Sequence, residues 1–100
     1  MAKMDVCSLM SALSEPTRLG AVRILWDGGE HCVCELMEVL GATQSRMSRH
    51  MAALKAVGLI VDRRDAQWVR YRRNPRLSPA ASAIVDAVLV AASKQDRKAA

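Results

Sequence analysis

The sequence predicts a mainly α domain that carries one β-hairpin. Three observations lead there. Apolar residues recur at three- and four-residue spacing along most of the chain, in stretches bounded by Gly and by good cap residues. Aromatics are scarce, with two Trp, one Tyr and no Phe, so Leu, Val, Ile, Ala and Met must build a helical core. After Gly58 the pattern changes to two short β-prone runs, "LIVDRR" and "WVRYRR", on either side of "DAQ".

The elements follow in order. Residues 4–13, "MDVCSLMSAL", place Leu9, Met10 and Leu13 at helical spacing. Ser14 is a suitable N-cap for a second helix, with Pro16 in its first turn and Leu19, Val22, Ile24, Leu25 and Trp26 as its apolar face. "DGG" at 27–29 ends it. A third helix begins near Cys32 or Cys34 and stops at Gly41, burying Leu36, Met37 and Leu40.

The fourth helix runs between Thr43 as N-cap and Gly58 as C′ residue, and its stripes separate cleanly. Met47, Met51, Leu54 and Gly58 face the core. Ser45, Ser48, Arg49 and Ala52 face elsewhere. That second stripe is small, polar and basic, where an ordinary solvated face carries long Glu and Lys side chains. Small residues let a helix backbone approach a partner closely. Two short helices joined at "GAT" have helix-turn-helix spacing, and the basic hairpin beside them, closed by a three-residue "DAQ" turn at Asp65, is placed as a wing. A last helix, 79–94, is apolar almost all round. Paired with the N-terminal helix, it forms the expected homodimer interface.

Composition bounds the function. One hundred residues make one domain, expected over 1–94 with a polar tail at 95–100. The net charge is +5, with Arg63, Arg64, Arg70, Arg72, Arg73 and Arg76 in one segment, which points to a polyanion such as double-stranded DNA. No apolar run suits a membrane span and no signal peptide is evident, so the cytoplasm is expected, and there the three cysteines stay reduced. No nucleophile is paired with a base, so neither catalytic residues nor an enzyme activity are expected.

From "LSEPTRL" to "YRRNP" the chain resembles the ArsR/SmtB family of bacterial metal-sensing repressors. The residues that carry the resemblance are "LSEPTRLGAVRIL", "CVCELMEVLG", "TQSRMSRHMAALKAVGLI" and a hairpin ending in "VRYRR". The resemblance implies a winged helix-turn-helix homodimer that binds operator DNA without metal and leaves when the ion binds. It puts Gln44, Ser45, Ser48, Arg49 and His50 on the recognition helix. Arg63, Arg64 and Gln67 of the basic hairpin are expected to complete the DNA-facing set. "CVCEL" resembles the branch that senses thiophilic ions, making Cys32 and Cys34 ligands for As(III), Sb(III) or a related inducer. DNA binding itself requires no cofactor.

Two departures from the family pattern matter. Met37 stands where arsenic sensors carry a third cysteine, and His occurs only at 31 and 50, so a zinc site on the last helix is not expected. A pyramidal three-sulfur site then needs Cys7, reached from the other subunit. A two-thiol site, or one using His31 as a nitrogen ligand, stands beside that reading. So do a repressor of the same fold responding to Cd(II), Pb(II) or Zn(II), and one responding to thiol oxidation.

Overall fold

A computed structural model describes residues 4–99 of the chain, with side chains through Asp96. It contains five helices and three short strands. Helix α1, Val6–Leu13, is capped by Asp5, whose carboxylate accepts from the Ser8 backbone N–H at 2.9 Å. Helix α2, Pro16–Leu25, starts one residue later than the sequence suggests. Glu15, not Ser14, is its N-cap, accepting from the Arg18 N–H at 2.8 Å, while Ser14 closes α1. The longer carboxylate reaches the orphan donor while Pro16 takes the first helical position. Arg18 then donates through Nε to the Ala12 carbonyl at 2.8 Å, tying α2 to the end of α1.

Strand β1 is only His31–Cys32, and helix α3, Val33–Leu40, follows it directly. Gly41 stops α3 in a left-handed conformation, φ 65°. Helix α4, Gln44–Ala56, opens on Thr43, whose hydroxyl accepts from the Arg46 N–H. Strands β2, Ile60–Asp65, and β3, Trp68–Arg73, form the hairpin, and β1 adds to the far side of β3. The sheet is antiparallel throughout, in the order β1-β3-β2. Helix α5, Pro79–Ala99, runs five residues past the expected end at 94, because Lys94, Gln95 and Asp96 offer no helix breaker. Among the described residues no helix is long and apolar enough to cross a membrane.

The core is continuous. Val22 and Leu25 of α2, Leu36 of α3, and Met47, Met51 and Leu54 of α4 are fully buried, together with Leu59, Ile60 and Val85. The two stripes read from α4 fall as expected: Ser45, Ser48, Arg49 and Ala52 are exposed. Trp26 pins α5 to this body by donating to Asp86 at 2.9 Å while the Arg73 guanidinium lies 4.3 Å from its ring centroid. The α3–turn–α4 unit with the hairpin behind it is a winged helix-turn-helix.

The hairpin turn differs from expectation. Asp65 pairs with Trp68, so the connection is the two residues Ala66 and Gln67, and Ala66 supplies the positive φ of 56°. A tight two-residue loop needs that conformation to match the twist of the strands, and no glycine is present to adopt it freely. Ala66→Gly is expected to raise stability by about 0.5–1 kcal/mol in urea unfolding, the relief of left-handed strain exceeding the added chain entropy. Leu36→Ala is expected to lower it by about 2–5 kcal/mol, because a fully buried side chain would leave a cavity between α3 and α4.

Candidate functional site

Residues two apart in a regular helix point roughly 200° apart, so two thiols at that spacing inside a helix cannot share an ion. The structure resolves this by leaving Cys32 outside the helix. Cys32 is the N-cap of α3, in extended conformation, and its Sγ accepts from the Cys34 N–H at 3.4 Å. Cys34 lies exposed in the first turn, and Cys32 is half-buried against the core. The Cys34 thiol hydrogen-bonds to Cys32 and holds Cys32 below the ordinary thiol range, helped by backbone N–H groups and by the Arg70 charge; Cys34 is raised in return.

Two carboxylates adjoin the pair, and both are engaged by cations. Glu30 is bound by Arg63 through two contacts, Nε at 2.6 Å and Nη2 at 2.8 Å, which hold its carboxyl below the usual range. Glu35 accepts from His31 Nδ1 at 2.8 Å, while Asp27 accepts from His31 Nε2 at 2.9 Å. With a carboxylate on each ring nitrogen, both nitrogens act as donors, which is the imidazolium form. Burial pulls the His31 pKa down, but the bonds to Asp27 and Glu35 outweigh it and raise it. Both nitrogens of His31 are thus occupied by protein groups. Met37 is half-buried and packs on the core.

Cys7 is exposed on α1. Among the described residues of one chain, no three His, Cys, Asp or Glu side chains come together in an arrangement that could hold a metal ion, so Cys7 does not join Cys32 and Cys34 within the chain.

The polar face of α4 presents Gln44, Ser45, Ser48 and Arg49 to solvent. His50 is turned elsewhere. It is half-buried against the start of α2, with Nδ1 accepting from Arg18 Nη1 at 3.3 Å and Glu15 farther off at 3.7 Å. On the wing, Arg64 and Gln67 are exposed, and Arg64 forms no ion pair among the described residues. Arg63 is held by Glu30 and Arg70 by Asp65, so the run of arginines overstates the free charge.

Several residues that shape the site carry no sequence signal. Arg70 stands opposite Cys32 only because β1 pairs with β3, and a two-residue strand is too short to show periodicity. The His31 clamp draws on Asp27 at i−4 and Glu35 at i+4, a spacing that becomes informative only once the turn between α2 and α3 is known.

Residues 15–61 match the model of a family described as bacterial regulatory protein, arsR family. The arsenical resistance operon repressor of Escherichia coli is 42% identical over 78 residues, which are 78% of this chain and 67% of the relative. An arsenic resistance transcriptional regulator of Pseudomonas putida is 46% identical over 69 residues, 69% of this chain and 60% of the relative. The chain thus spans about three fifths to two thirds of these relatives' lengths. Among solved structures, a homodimeric winged helix-turn-helix DNA-binding domain from Mycobacterium bovis superposes with a TM-score of 0.72 at 26% identity, covering 90% of this chain and 80% of that one.

The His31 clamp yields a pH prediction. Because its pKa is raised on folding, the stability it confers is full below the unfolded value near 6.5 and is lost as pH rises through the folded value. His31→Gln is expected to remove this step from a stability-versus-pH curve measured by thermal melts, leaving the rest of the curve unchanged.

Proposed function

The chain belongs to the ArsR family of bacterial regulatory proteins, and we propose that it is a dimeric transcriptional repressor that binds operator DNA and releases it when As(III) or Sb(III) is captured by its cysteines. The observation that carries this reading is the position of the thiol pair, at the cap of the first helix of the helix-turn-helix. Ion capture and DNA-binding geometry there compete for the same few residues.

In this reading α4 lies in the major groove, where Ser45 and Ser48 permit close approach and Gln44 reads base edges. Arg49 and Arg64 meet phosphates, with Gln67 at the wing tip. His50 acts from behind the helix, bracing α4 against α2. Exposed Val6 and Met10 on α1 and Val90 on α5 support a dimer made by the terminal helices. The donor set suits a trivalent, thiophilic centre. Cys32 and Cys34 supply two sulfurs and the partner subunit supplies Cys7. Each thiol that binds exchanges its S–H and an As–OH bond for an As–S bond and a water, with no change of oxidation state. Cd(II), Pb(II) and Zn(II) satisfy the same sulfurs, and an ion panel separates them from arsenite.

Gel-shift and anisotropy titrations test the proposal. Cys32→Ser and Cys34→Ser are expected to bind operator DNA as the parent does and to ignore arsenite under reducing conditions; release at the parent's arsenite concentration would exclude the paired-thiol site. Arg64→Ala is expected to weaken all sequences about equally and to lower the salt slope by about 1. Gln44→Ala changes base preference instead, by about 1–3 kcal/mol at one position. For the bridging cysteine, Cys7→Ser subunits are mixed with Cys32→Ser/Cys34→Ser subunits. Arsenic–sulfur absorption returns in the exchanged heterodimer only if one subunit's Cys7 completes the other's pair.

A further inference from the structure

We propose that the Glu30–Arg63 ion pair is a latch through which the thiol pair sets the pose of the wing. The inference rests on reading Cys32 and Cys34 as the ion site, and extends it to the route by which capture is felt at the DNA-facing hairpin.

Three observations meet here. Cys32 is at once the cap of α3 and the last residue of β1, where its partner on β3 is Arg70. Arg70 is in turn opposite Arg63 on β2, so Cys32, Arg70 and Arg63 form one row across the sheet. Residues opposite one another in such a row share a face of the sheet. Glu30, immediately before β1, spans the middle strand and grips Arg63 with two bonds at 2.6 and 2.8 Å. The segment that carries the first thiol is therefore fastened to the wing twice: by a two-residue ladder to β3, and by a forked ion pair to β2.

The energetics suit a switch. The Arg63 side chain is 55% exposed and that of Glu30 32%, so the pair contributes little to global stability. Its forked geometry is nonetheless specific, since both bonds are lost when the carboxylate shifts by about an ångström. Arg63 held this way also has its Nε and Nη2 directed at protein instead of phosphate. The sulfur of Cys32 accepts a long hydrogen bond in this structure, the 3.4 Å cap contact. Covalent bonds from both sulfurs to a common thiophilic centre would be stiffer than that contact. The centre would claim Cys32 in competition with the ladder, and β1 at two residues is the shortest element among the described residues. When it yields, Glu30 moves with it, and β2 and β3 lose the support that fixes their angle to α4. Glu30 and Arg63 are positioning residues and touch neither the ion nor the base edges.

Hydrogen–deuterium exchange on the reduced, DNA-free dimer, with sodium arsenite as probe and arsenic–sulfur absorption recorded in parallel, tests the latch. Arsenite is expected to speed exchange of the β3 amides by at least about fivefold, the low end of ordinary coupling between sites. In Glu30→Gln those amides exchange fast from the outset, arsenite adds less than about twofold, and the absorption is unchanged. Wing exchange that ignores arsenite while the absorption shows a filled site overturns the proposal, as does a Glu30→Gln protein that matches the parent. Operator binding on the same samples separates the two inferences. A wing that loosens without DNA release keeps the latch and removes the repressor reading. DNA release with an unchanged wing removes the latch alone, and absence of the absorption removes both.

Discussion

Burial of one stripe of α4 governs everything that faces outward. Met47, Met51 and Leu54 have no solvent exposure, and they are sealed by Leu36 from α3 and by Val22 and Leu25 from α2. At 3.6 residues per turn, burying that stripe leaves no freedom in which residues point away. Ser45, Ser48 and Arg49 are presented because the methionines and Leu54 are not. Gly41 and Thr43 then set the angle at which α4 leaves α3, one by turning the chain left-handed and the other by capping the new helix. The exposed polar face of α4 is thus a by-product of core packing, and α3 and α4 share one close-packed core.

Electrostatics around the thiols follow from the same economy of parts. Glu30 and Glu35 adjoin the cysteines and would oppose a thiolate if left free. Each is matched instead, by Arg63 and by His31 respectively. The Arg70 charge acts alongside, one strand over from Cys32. The neighbourhood is thereby made tolerant of negative sulfur without a dedicated basic pocket. The groups that achieve this belong to the wing and to the α2–α3 turn, so the chemistry of the site and the placement of the hairpin are parts of one arrangement.

Much of this was legible in the sequence. The helices, the two stripes of α4, the Gly41 and Gly58 stops and the hairpin all carry local signals of period, cap or turn. What escaped was decided between elements. The cap of α2 passed from Ser14 to Glu15 because of where Pro16 falls. The turn shortened to Ala66–Gln67 because strand pairing extends through Asp65 and Trp68. β1 could not be seen, since two residues have no period, and with it went the partnership of Cys32 with Arg70. His50 sits next to Arg49 in sequence, yet one helical step of about 100° turns its ring toward Arg18.

The N-cap role of Cys32 has a consequence for how such a protein changes over time. A cap position accepts Ser, Thr, Asp or Asn at least as readily as Cys, so the helix does not depend on sulfur. The thiol is an addition to a position that several other residues fill equally well. In the proposed reading, responsiveness to a soft ion can therefore be discarded by lineages through a one-codon step at Cys32, while the helix-turn-helix architecture persists. Sensing of this kind is modular with respect to inheritance even though, in three dimensions, it is embedded in the framework.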